Sequence, residues 1–243
     1  MPERELTIVG HLGELRRRLI VSLVAVIAAA VVCLPFSSAI LTILKLPVRG
    51  ILEKLVYFSP EEAFLVYMRI SLIAGLIISF PVIAYQAWAF TAPALGKDFK
   101  KYAVYFVSFS ALAFIAGCAF AYTCMLPAAL RFLLSIGESQ LEPVISATRY
   151  IAFVTGFILA CGMVFEMPVA SFFLARTGVV TASLMRRKFK YALIVIVIAA
   201  AVITPTSDVF NMMLLALPMI GLYEISIWVA YFAQKKGGSG YDK

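Results

Sequence analysis

From Tyr150 to Ala175 the chain runs for 26 residues with a single charged side chain, Glu166. This run constrains the fold more than any other feature. Its length matches a bilayer's hydrocarbon core, which takes about 20 apolar residues per helix. In lipid every backbone N–H and C=O must be satisfied internally, so a spanning segment is a helix or a strand of a closed barrel. The apolar runs here are continuous rather than alternating, which excludes a barrel. Composition agrees: 63% of residues are hydrophobic and 14% charged, and mean hydropathy is +0.99. A soluble domain of 243 residues could not hide that much apolar surface.

Six such runs are present, at about 19–41, 64–90, 102–124, 150–175, 191–204 and 209–233; Pro81 lies in the second, and Pro218 and Glu224 in the sixth. The reading is an all-α integral membrane protein. Residues 1–233 form one six-helix transmembrane domain, and residues 234–243 a flexible cytoplasmic tail. The fifth run has 14 residues, about 21 Å of helix against a core of about 30 Å. The fifth helix is therefore expected to be short and the bilayer thinned beside it. The segment "LPAALRFLLSIG" reads as a short amphipathic helix at the membrane interface. The first run resembles a cleavable signal peptide, but it is too long and continues past Cys33, so it is read as retained.

Orientation follows from the cations. With both termini cytoplasmic, 15 of the 21 Lys and Arg residues fall inside and 6 outside, the bias expected of a membrane protein. That asymmetry accounts for the net charge of +8 without a nucleic-acid partner. The partner it does imply is the bilayer.

Catalytic and metal chemistry find little support. His11 is the only histidine, and the four cysteines, Cys33, Cys118, Cys124 and Cys161, form no CxxC pair; they read as small buried hydrophobes. There is no P-loop, GxSxG or HExxH motif. No catalytic residue, metal ligand or cofactor is expected, and the chain is not read as an enzyme.

What remains is a set of acids. Glu14 in "HLGELRRRL" and Asp98 in "PALGKDFKK" lie at the cytoplasmic surface. Carboxylates there suit a guanidinium, which can offer two parallel N–H bonds. Glu14 is equally placed as the i, i+4 partner of Arg18. Glu166 and Glu224 lie within spans, where acids are costly and face an interior or a wet cavity. Three roles stay open for them: a proton relay, a polar anchor for another helix, and an intramolecular hydrogen bond. A proton-coupled small-solute transporter using both is the alternative function. Asp208 in "TSDVF" has the chemistry of a helix N-cap.

Several stretches, in order, resemble the TatC family, the multispanning core of the twin-arginine protein translocase. They are "HLGELRRRL", "SPEEAF", "PVIAYQAWAFTAPAL", "FEMPVA", "ITPTSDVF" and "LALPMIGLYEISI". The resemblance implies a receptor in the bacterial cytoplasmic (inner) membrane that binds paired-arginine signal peptides at its cytoplasmic face. It implies assembly with single-span TatA- and TatB-type partners, homo-oligomerisation within a larger complex, and export of folded proteins driven by the proton-motive force. Carried over by position, Glu14, Arg16, Phe90 and Asp98 bind the signal peptide. Asp98 stands one residue before the family's loop glutamate, a position occupied here by Phe99. Pro47 and Phe64 belong to the outer scaffold. The resemblance also implies that the last two helices are both short, with Asp208 at the outer turn between them. Glu166 and Asp208 contact partner helices, so Glu166 is expected to be a polar site on a concave intramembrane face.

Overall fold

A computed structural model describes residues 8–48, 55–91, 103–136, 144–204 and 208–235, and every regular element among these residues is a helix, apart from one isolated bridge. Helix α1 spans Ile8–Cys33 and passes through a 3-10 turn, Leu34–Phe36, into α2, Ser37–Leu44. Pro35 in that turn has no N–H to give the α-helical ladder, which accounts for the local change from α to 3-10 geometry. A second 3-10 turn, Leu46–Val48, carries Pro47.

Helix α3 runs from Pro60 to Thr91. Its start is locally encoded: Pro60 takes the first helical position, which suits its fixed φ and missing donor. Glu62 reaches back to accept from Phe58 N at 3.2 Å. Pro81 sits within the helix without ending it, as membrane helices allow.

Helix α4, Ala103–Phe120, continues through one π-helical turn, Ala121–Met125, into α5, Leu126–Ser135. This corrects the expected interfacial helix. Leu126, Ala129 and Leu130 of α5 are buried in the core, and Phe132 stacks on Phe210 with centroids 4.0 Å apart. Pro127 is accommodated because it falls in the first turn after the π segment.

The run that held Glu166 is two helices, α6 at Ala147–Val164 and α7 at Met167–Arg176. Pro168 explains the break. Its ring would meet the carbonyl of Val164, four residues back, and it cannot donate. Helix α8, Ala182–Arg187, is capped by Thr181, whose Oγ1 accepts from Leu184 N at 3.1 Å.

Helix α9, Phe189–Ile203, has 15 residues, about 22 Å. Helix α10, Val209–Lys235, has 27. The expectation that both last helices are short therefore holds for α9 and fails for α10. The apolar run of α10 is long enough to span, and Pro218 bends into it without stopping it. Among the described residues, five stretches are long and apolar enough to cross a bilayer: Leu12–Leu44, Pro60–Thr91, Ala103–Ser135, Ala147–Arg176 and Val209–Gln234; Phe189–Ile203 is a shorter apolar helix.

Two features lock this arrangement. Glycines let helices touch: a Cβ on Gly75 of α3 would lie 2.5 Å from Ala30 N of α1. Gly117 and Gly162 do the same between α4 and α6, against the Cys161 carbonyl at 2.6 Å and the Phe114 ring at 2.7 Å. Phe114 in turn stacks on Phe80 of α3 at 3.7 Å. Close approach through small residues is how membrane helices pack without a hydrophobic driving force between them.

The second feature is polar. Tyr122 and Tyr150 donate their hydroxyls to the Ile43 and Leu44 carbonyls, each at 2.7 Å. These carbonyls end α2 and have no partner within it. Val56 and Ser146 form a single parallel bridge, with Val56 N on the Ile145 carbonyl at 3.1 Å and Ala147 N on the Val56 carbonyl at 2.7 Å. The segment before α3 is thereby tied to the start of the helix at Ala147–Val164.

Of the cysteines, Cys33, Cys118 and Cys161 are buried as expected; Cys124 is exposed.

Candidate functional site

Two acids organise the polar chemistry, one near the start of α1 and one between α6 and α7. Near the start of α1, Arg18 Nε donates to Glu14 Oε1 at 3.1 Å, and its Nη2 donates to the same oxygen. The pair is partly open, with side-chain exposures of 23% for Arg18 and 27% for Glu14. Spacing of four residues on a helix makes this contact local. A third contact is not local: Arg18 Nη1 donates to Gln86 Oε1 of α3 at 3.3 Å, across 68 residues of sequence. One guanidinium is thus bracketed by a carboxylate from one helix and an amide oxygen from another.

Backbone geometry explains the meeting. The Gly75–Ala30 contact fixes α1 against α3. From there Arg18 is twelve residues back along α1 and Gln86 eleven residues forward along α3. In antiparallel helices these steps of about 18 Å and about 16 Å end at the same level. Phe90 lies four residues beyond Gln86 and shares its face of α3; it is half-buried. Trp88 is buried near this end of α3, on another face. Arg16 is exposed and lies two residues from Glu14, so it faces another side of α1. Asp98, with Phe99, lies outside the described residues.

The second acid stands at the α6–α7 break. Glu166 Oε2 accepts from the hydroxyl of Ser110 on α4 at 2.8 Å. Ser110 is buried. The other oxygen, Oε1, is buried and has no hydrogen-bond partner among the described residues. The break leaves Glu166 in turn backbone, with its N–H on the Met163 carbonyl at 3.1 Å and its carbonyl receiving Ala170 N at 2.8 Å. Of the three roles left open by the sequence, the intramolecular hydrogen bond is present. No direct hydrogen bond joins Glu166 to Glu224 among the described residues.

Asp208 caps α10. Its Oδ1 accepts from Asn211 N at 2.7 Å and its Oδ2 from Asn211 Nδ2 at 2.9 Å. Asn211 is fully buried, so the cap also seats a polar side chain inside the bundle. Pro47 is half-buried in its turn, whereas Phe64 is exposed on the second turn of α3.

Gln86, Ser110 and the two tyrosines escaped the reading of the sequence. A lone amide near the end of an apolar helix was the available signal for Gln86. A serine in a charge-free span was the signal for Ser110. Neither names its partner.

The description "Sec-independent protein translocase protein (TatC)" fits residues 10–218 of this chain. The chain belongs to the TatC family. Among its relatives, the Sec-independent protein translocase protein TatC of Carboxydothermus hydrogenoformans is 35% identical over 243 residues, all of both chains. That of Helicobacter pylori strain 26695 is 40% identical over 220 residues, 90% of this chain and 85% of its own. That of Aquifex aeolicus is 38% identical over 230 residues, 93% and 95% of the two chains. A crystal structure described as the twin arginine translocase receptor TatC matches with a TM-score of 0.82 at 37% identity, over 92% of this chain and 99% of that one. A second, of the same receptor in the detergent DDM, gives 0.82 at 38% identity. This TatC-family chain is a multi-pass membrane protein and a component of the Sec-independent protein translocase.

Proposed function

We propose that this chain is the core receptor of a twin-arginine translocation system and binds paired-arginine signal peptides at the Glu14 end of α1. The observation that carries this reading is the bracketed guanidinium. A carboxylate at a membrane surface, reached by two nitrogens of one arginine and backed by an amide oxygen, is chemistry that favours arginine over lysine. Lysine carries the same charge but only a compact ammonium, without the planar fork. A signal's arginines are also too costly to carry into the bilayer centre, so they are best read at its edge.

In this reading six helices cross the bacterial inner membrane with both termini cytoplasmic, α9 being the short one. Arg16, Phe90 and Asp98 join Glu14 at the signal-binding end. Pro47 and Phe64 belong to the outer scaffold. Glu166 and Asp208 meet the single helices of TatA- and TatB-type partners, and several copies of the chain assemble with them. The proton-motive force drives export of folded cargo, with no cofactor in this chain. The unsatisfied Oε1 of Glu166 supports a polar contact from a partner helix.

The test is binding of a synthetic signal peptide with paired arginines to the purified chain in detergent, against the same peptide with paired lysines. Preference for arginine by about tenfold or more is expected, since hydrogen bonds to charged groups contribute about 1.5–3 kcal/mol. Equal binding of the two peptides, unchanged by Glu14→Ala, would sink the proposal.

A further inference from the structure

The site proposed for the signal's arginine already holds an arginine of the chain's own. Arg18 makes three contacts, two on Glu14 and one on Gln86. They use Nε, Nη1 and Nη2, so they occupy three distinct corners of one guanidinium. A structural i, i+4 pair needs only the Glu14 contacts. The Gln86 contact is supplied by a different helix, held at the right level by the Gly75–Ala30 approach. Both members of the pair remain partly open to solvent, and exposed i, i+4 pairs are weak enough to exchange. The second Glu14 oxygen, Oε2, takes no hydrogen bond from the described residues.

We propose that Arg18 is an internal occupant of the guanidinium site, that Gln86 is the site's second acceptor, and that an arginine signal binds by displacing Arg18 from both. This rests on the receptor reading above and adds two residues to it. Arg18 acts as a competitor and Gln86 as a specificity residue. An ammonium is a compact point charge and lacks the planar fork that reaches Glu14 and Gln86 together here. Gln86 therefore contributes to arginine binding and not to lysine binding. Because Arg18 carries the ligand's own functional group, weakly attracted cations fail to dislodge it, and a peptide that brings the full fork succeeds.

The experiment measures binding of fluorescent peptides with paired arginines or paired lysines to the full chain in detergent. The variants are Arg18→Gln, Arg18→Lys, Gln86→Leu and Glu14→Ala. Arg17→Gln serves as the control, since it removes the same charge from an exposed neighbour. Arg18→Gln is expected to tighten the arginine peptide by about fivefold or more while the lysine peptide changes by less than about twofold. Arg18→Lys should give part of that gain, and it decides the question if Arg18→Gln does not fold. Gln86→Leu should weaken the arginine peptide by about threefold or more and leave the lysine peptide unmoved.

Tightening of both peptides alike, as Arg17→Gln should produce, is general electrostatics and overturns the exchange. Unchanged or weaker arginine-peptide binding in both Arg18 variants makes Arg18 structural and also overturns it. These outcomes differ from failure of the receptor reading, in which the unaltered chain binds both peptides equally and Glu14→Ala has no effect.

Discussion

The two acids at the heart of this protein are held by opposite strategies. Glu14 faces a full positive charge, partly open to water and flanked by an amide from a second helix. Glu166 meets one neutral hydroxyl, that of Ser110, and keeps a second oxygen unsatisfied. A charged pair suits the membrane edge, where desolvation is incomplete and partners can exchange. Within the bilayer a permanent cation would be costly, and a serine can satisfy half of a carboxyl without adding charge. On the proposed reading, the contrast is between an edge site that trades partners and an inner site that awaits one.

The two sites also hang on different helix contacts, which gives the sharpest way to separate them. Gly75→Leu would drive a side chain into the α1 backbone at Ala30. Overpacking of this kind costs about 1–3 kcal/mol or more. We expect a clear fall in melting temperature in detergent and loss of arginine-peptide binding. Gly162→Leu, which strikes the Phe114 ring instead, should cost similar stability but leave peptide binding intact in whatever fraction folds. Equal damage to binding by both would collapse the distinction.

Glu14→Ala comes next. It removes the charged acceptor, and the arginine-over-lysine preference should fall by about 2 kcal/mol, read as a ratio of dissociation constants. Stability should change by about 0.5 kcal/mol or less, because an exposed i, i+4 pair contributes little.

Glu166→Gln sharpens the other half of the comparison. Glutamine retains an oxygen to accept from Ser110 and adds donors in place of the second oxygen. The fold should persist with a melting temperature near that of the unaltered chain, while transport and crosslinking to a partner's helix decline. Full transport and crosslinking with Gln at 166 would contradict the partner-contact role. Ser110→Ala, by contrast, should cost about 0.6–2 kcal/mol of stability, the scale of a polar bond between membrane helices, read by thermal unfolding in detergent.

The smallest effect belongs to the cap. Asp208→Ala removes the acceptor of Asn211 N and should cost about 1 kcal/mol. Asp208→Asn, another good cap, should restore most of it. Failure of that rescue would indicate that the carboxylate itself matters, as a partner-docking role requires.

Much of the fold was legible in the sequence because apolar length is a local property. The runs at 64–90 and 209–233 became helices at 60–91 and 209–235 because nothing but a helix satisfies their backbone in lipid. The Glu14–Arg18 pair and the Asp208 cap were legible for the same reason, being contacts of four and three residues along one helix. The end of the third run was misread. Its helix continues through a π turn into residues whose buried face packs on the core, and amphipathicity alone does not distinguish a core-facing stripe from an interfacial one. The break before Met167 was written in Pro168 but masked by an unbroken apolar run.

Sequence by itself determined that this chain is a helical membrane protein and which acids stand where acids are expensive. Tertiary structure alone decided which polar groups meet between helices. Gln86 meets Arg18 because Gly75 admits Ala30, and Ser110 meets Glu166 across 56 residues in a bundle whose α4 and α6 touch through Gly117 and Gly162. The physical reason is one of range. Hydrophobic length and capping are fixed within a few turns of a single helix. The pairing of polar groups between helices depends on register, and register is set by where two backbones can approach most closely.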